Sequence, residues 1–176
     1  MVERNFDDAE RAIASSPTTI FEIWTGPRVT KSFLLGCVAL ARGDTAKARP
    51  LFEAELRFAR SELVEAPDSP YRHSQLGLIS AYLGRKEEGI AEGKRAVELL
   101  PISKDAMDGP GGEGALAEIY GRVGEEEQAI TLLEKLLTVP NGGSQLALKD
   151  WNWDPLRKNP RFQKLISGPP PKIIYN

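Results

Sequence analysis

Three glycines govern what this chain can fold into. Gly43, Gly84 and Gly124 stand 41 and 40 residues apart, each inside the same local pattern. The stretches LLGCVALARGDTAKARPLFE, QLGLISAYLGRKEEGIAEGK and ALAEIYGRVGEEEQAITLLE align around them. Seven residues before each glycine lies a small residue (Gly36, Gly77, Ala117), and five residues after it lies another (Ala48, Gly89, Ala129). Self-similarity at a fixed period is the mark of a repeat architecture.

The pattern reads as a helical hairpin. Before each glycine, apolar residues recur at helical spacing, as in Leu116, Ile119, Tyr120 and Val123. The glycine suits the left-handed conformation that ends a helix. Behind it come Asp44, Lys86-Glu87-Glu88 and Glu125-Glu126-Glu127, and acids favour the first turn of a new helix. Small residues on both arms let the backbones approach closely. Ser69-Pro70 supplies an N-cap and a first-position proline, while Pro101 and Pro140 stop the second arms.

With these positions in frame, the chain resembles the tetratricopeptide repeat family, whose unit pairs two antiparallel helices. Leu76, Gly77, Leu83, Gly84, Gly89, Ala96 and Pro101 match the middle repeat. Leu35, Gly36, Gly43, Ala48 and Phe52 match the first, and Leu116, Ala117, Tyr120, Gly124, Ala129 and Leu133 the third. The resemblance covers roughly residues 28–140. It implies an all-α fold, a right-handed superhelix of antiparallel hairpins closed by a C-terminal helical cap. The expected organisation is a half-repeat helix and connector over 1–27, three hairpins over 28–140, a capping segment over 141–167 and a Pro-rich tail over 168–176.

Departures from the family pattern carry their own expectations. Gly43 to Pro67 is 24 residues where Gly84 to Pro101 is 17, which predicts a second helix lengthened by two turns, about 45–66. Pro50 inside it should kink it or displace its start. PISKDAMDGP adds a loop between Pro101 and Pro110. Gly93 replaces a residue that is usually large. Glycine inside a helix costs roughly 1 kcal/mol relative to alanine, so a bulky neighbour is expected over Gly89 and Gly93. NFDDAERAIASSP resembles the second helix of an earlier repeat. Either the chain is cut from a longer protein or the domain opens with a half-repeat, and we expect the former.

A stack of hairpins needs a different final unit to cover its apolar end. WNWDPLRKNPRFQKLI fits that role: Asp154-Pro155 and Asn159-Pro160 read as two helical starts. Leu156, Phe162, Leu165 and Ile166 supply an apolar stripe, with Arg157, Lys158, Arg161 and Lys164 outward. This ending also resembles the tails of bacterial multidomain signalling proteins. SGPPPKIIYN should be extended. It is either a mobile end, or Ile173, Ile174 and Tyr175 dock on a neighbouring chain or on this chain's own groove.

Charge is balanced, with 23 basic and 25 acidic residues, and no like-charged block that would suit nucleic acid or a membrane surface. No stretch reads as a signal peptide or a bilayer span, and the chain reads as cytoplasmic. One His and one Cys leave no metal-ligand spacing. His73 reads as a packed bystander and Cys37 as a small groove or core residue. DGPGGEG lacks the Lys-Ser/Thr pair of a phosphate loop. No enzyme, cofactor or metal is expected.

Carrying over the family's groove puts Phe33, Cys37 and Leu40 on the first unit. Tyr71, Ser74, Leu78 and Tyr82 follow on the second, then Glu118 and Arg122 on the third. Family members that grip a C-terminal carboxylate use Lys and Asn at two such positions. Phe33, Cys37, Ser74 and Leu78 stand there instead, so no carboxylate clamp is expected. The resemblance implies a groove apolar at one end and polar at the other, suited to a peptide or helix of a partner protein. Some of these residues could instead simply pack against the N-terminal half-repeat. The alternative function is a structural or self-associating module, a possible homodimer that holds an attached domain.

Overall fold

The computed structural model describes residues 5–22 and 28–174. It is mostly helical: α1 (Phe6–Ser15), α2 (Lys31–Ala41), α3 (Thr45–Glu65), α4 (Pro70–Tyr82), α5 (Lys86–Leu99), α6 (Gly109–Arg122), α7 (Glu126–Leu136) and α8 (Pro160–Ser167). Two 3₁₀ segments, Ala147–Lys149 and Trp151–Leu156, precede α8. No helix among the described residues is long and apolar enough to cross a membrane.

The repeated glycines do the same work three times. Gly43, Gly84 and Gly124 have φ of 81°, 75° and 83°. Past each one the next amide folds back on the ending helix: Asp44 N–H to Ala39 O at 2.9 Å, Arg85 to Ser80 at 2.8 Å, Glu125 to Tyr120 at 2.9 Å. This six-to-one bond closes a helix and turns the chain at once. It pairs α2 with α3, α4 with α5 and α6 with α7.

Small residues set how closely the arms meet. A Cβ on Gly77 would lie 3.0 Å from the Gly89 carbonyl and 2.8 Å from Ile119 Cδ1. A Cβ on Gly93 would meet Ile119 at 2.7 Å and Leu116 at 2.9 Å, the bulky neighbours expected there. Over Gly89 the expectation fails, because its neighbour is the α4 backbone at Gly77 and Ala81 rather than a large side chain.

The lengthened second arm is α3, whose bounds sit within a residue of the expected 45–66. It runs unbroken through Pro50 from an Asp44 N-cap, so the proline does not displace its start. The length has a use. Glu55 and Glu62 face inward, with Glu55 wholly buried, and hold a strand that was not anticipated. That strand, β2 (Arg28–Thr30), pairs antiparallel with β1 (Ile20–Glu22), with Phe21 opposite Val29. Glu55 accepts from Thr30 Oγ1 at 2.5 Å and Gln75 Nε2 at 2.9 Å, while Glu62 takes both Arg28 Nε at 2.9 Å and Nη2 at 2.5 Å. Gln75 also donates to the Arg28 carbonyl, so β2 is fastened from α3 and α4 together. The fold is thus helical with a small two-stranded ribbon added.

At the other end, Trp153, Leu156 and Phe162 bury themselves against Ala117, Ala129, Ile130 and Leu133. Asn159-Pro160 starts α8, with the Asn159 side chain accepting from Arg161 N–H. Asp154-Pro155 does not start a helix: Pro155 lies inside the 3₁₀ segment that begins at Trp151. Arg161 reaches back to Glu134 at 2.5 Å and Glu127 at 2.8 Å, tying α8 to α7. The tail is extended, and Ile174 N–H donates to Thr138 O at 2.7 Å on this same chain. Tyr175 lies outside the described residues, as do residues 23–27 at the end of the expected connector.

Candidate functional site

Helices α2, α4 and α6 are the first arms of the hairpins, and the space between them divides into two adjoining cavities. The upper one, about 520 Å³, is lined by Phe33 and Cys37 of α2, Leu78 and Tyr82 of α4, and Glu118 of α6. Phe6 and Ala9 of α1 and the Trp151-Asn152 corner of the cap complete its wall. The lower one, about 390 Å³, is lined by Phe33, Tyr71, Ser74 and Leu78, then by Leu100, Met107, Asp108, Gly111 and Gly112. Phe33 and Leu78 belong to both and form the sill between them.

Seven of the nine expected groove residues therefore meet here. Leu40 does not: it turns into the core of the first hairpin beside Phe52 and borders a small cleft between α2 and α3. Arg122 also leaves the lining. Its guanidinium sits 4.9 Å from the Trp151 ring and 5.5 Å from the Tyr82 ring, and donates to the Trp151 carbonyl at 3.3 Å. Cation–π contact on two faces holds this side chain behind the wall.

Aromatic rings dominate the upper cavity. Tyr82 lies 4.8 Å from Phe52, 6.4 Å from Phe33 and 6.3 Å from Trp151, all in tilted arrangements. Its hydroxyl donates to Glu118 Oε1 at 2.5 Å, and Asn152 Nδ2 donates to Glu118 Oε2 at 3.1 Å. In the lower cavity Tyr71 donates to Asp108 at 2.7 Å. Each cavity thus carries one tyrosine–carboxylate pair, instead of one apolar end and one polar end.

Burial first, and the neighbouring Glu118 charge second, push both the Cys37 thiol and the Tyr82 phenol above their ordinary range. A thiol held protonated is a packing group rather than a nucleophile. His73 lies elsewhere, with Nδ1 2.5 Å from Glu92 and Nε2 2.8 Å from the Pro67 carbonyl. It bridges α4 to α5. Among the described residues, no three of His, Cys, Asp and Glu gather as a metal site would need.

Trp151, Asn152, Asp108, Phe6 and Ala9 were not anticipated at the site. Trp151 and Trp153 look alike in the sequence, yet the tight 3₁₀ turn sends Trp153 into the core and Trp151 to the cavity. The chain matches no family model, no curated protein and no solved structure.

Proposed function

We propose that this chain is a tetratricopeptide-like stack, a right-handed superhelix of three hairpins, that binds a peptide or helix of a partner protein between its first arms. The observation that carries this reading is the pair of adjoining cavities lined by α2, α4 and α6, with Phe33 and Leu78 common to both. Their volumes fall within the usual range of ligand pockets, and their walls mix aromatic bodies with a few fixed polar groups. The three matching glycine turns support the repeat reading, and the ending motif supports a setting inside a larger cytoplasmic bacterial signalling protein. No catalytic role belongs to this proposal.

Leu78→Arg tests it. A guanidinium on the sill would place bulk and charge where the two cavities meet, so partner-peptide capture should vanish while the mass in solution stays unchanged. Capture that survives this substitution removes the groove from the reading. A second reading, self-association, is favoured by the exposed Ile173 and Ile174 of the tail, 43% and 56% accessible. It requires a concentration-dependent mass that drops when residues 168–176 are deleted.

A further inference from the structure

The lining of the two cavities is unequal in charge. Asp108, Glu118 and Asp150 bring carboxylates to the walls, and among the described residues no Lys, Arg or His lines either cavity. Arg122, the nearest cation on α6, is held against Tyr82 and Trp151 rather than offered to the opening. Asp108 and Glu118 are each already oriented, by Tyr71 and by Tyr82 with Asn152. A carboxylate accepting one or two such bonds keeps lone pairs for another donor.

The floor adds a second observation. Gly111 and Gly112 are the third and fourth residues of α6, where they leave the helix backbone without side chains. Packing does not require them: a Cβ on Gly111 would meet nothing within 4 Å, and one on Gly112 only Val97 Cγ2 at 3.9 Å. Both line the lower cavity beside Asp108. What they leave is a bare stretch of helix backbone, against which another main chain can lie closely.

We propose that the occupant of the two cavities is an extended basic–apolar segment of a partner protein. Its apolar side chain seats on the Phe33–Leu78 sill, with one cationic residue toward Asp108 and another toward Glu118. Asp108 and Glu118 are ten residues apart along α6, about 15 Å at helical rise. An extended chain covers that distance in about five residues, which sets the spacing between the two cations. Opposite charges at such a boundary fix register and direction as well as adding affinity.

This inference rests on the groove reading, and one experiment separates the two. The full chain is panned against a displayed library of random peptides, and enriched sequences are then titrated by fluorescence anisotropy. The titrations use the unaltered chain and a variant carrying Asp108→Asn and Glu118→Gln. Both amides can still accept from their tyrosines, and circular dichroism confirms the fold. Enrichment of Lys or Arg about five residues apart around an apolar residue is expected, with affinity falling roughly tenfold in the double variant and with added salt. Enrichment of neutral or acidic peptides that bind both proteins alike would overturn the charge assignment and leave the groove standing. No enrichment at all would overturn both.

Discussion

The Tyr82 hydroxyl donates a 2.5 Å hydrogen bond to Glu118 across the gap between α4 and α6. Eleven residues earlier on α4, Tyr71 does the same to Asp108 at 2.7 Å. The two bonds tie the second hairpin to the third at both levels of the candidate site, so the cavity walls are held by polar contacts as well as by packing.

Replacing Tyr82 separates the two contributions. Tyr82→Phe keeps the ring between Phe33, Phe52 and Trp151 and removes only the donor to Glu118, a loss of about 1–2 kcal/mol. Tyr82→Ala removes the ring as well and should cost about 3–5 kcal/mol. Urea denaturation followed by circular dichroism measures both. Equal stability of Tyr82→Phe and the unaltered protein would mean the bond contributes nothing.

Two glycines in neighbouring helices should respond to alanine with opposite signs. Gly93→Ala drives a methyl to within 2.7 Å of Ile119 and 2.9 Å of Leu116, and should lower stability by about 1–3 kcal/mol. Gly114→Ala points its methyl into open space on α6 and should raise stability by about 0.5–1 kcal/mol. The shifts in Tm of the two variants, compared side by side, decide the matter.

Ser80 is wholly buried, and its hydroxyl finds no hydrogen-bond partner among the described residues. A buried hydroxyl without a partner is a desolvation loss of about 1–3 kcal/mol. Ser80→Ala should therefore match or exceed the parent in denaturant midpoint. A clear loss of stability would show that the hydroxyl is satisfied in solution.

Glu55 gives the fold a pH dependence. Burial raises its carboxyl pKa above the ordinary value of 4.5, against the lowering effect of the Thr30 and Gln75 hydrogen bonds. Between 4.5 and the raised value, the folded state binds more protons than the unfolded one. Stability from this group is thus complete below 4.5 and declines as pH rises through that window. Glu55→Gln should flatten that part of the stability–pH curve. An unchanged slope would clear Glu55 of the effect.

How much of this was legible before the structure follows from the range of each interaction. The turns were readable because a left-handed residue at a helix end is a local demand that glycine answers. The length of α3 was readable as well, since Gly43 and Pro67 bracket it in one stretch. The ribbon was not: three-residue strands carry little pattern, and β2 is held by Glu55, Glu62 and Gln75, all 25 or more residues from it in sequence. Seven of the nine residues that the family resemblance places at a groove line the cavities, which residue spacing alone did not single out. Arg122 left the lining because Trp151, delivered by an irregular segment, offered its ring and carbonyl.

Helix α1 closes one side of the upper cavity yet contributes no buried residue. Besides its half-buried Phe6, Ala9 and Ile13, α1 is attached by charge: Arg42 pairs with Asp7 and Glu10, Lys47 with Glu10, and Lys31 reaches the Ser16 carbonyl. Attachments of that kind weaken as ions screen them, whereas the packed walls of α2, α4 and α6 do not. The α1 side of the upper cavity is therefore its salt-sensitive side: amide exchange within α1 should quicken with ionic strength more than exchange in α2, α4 and α6.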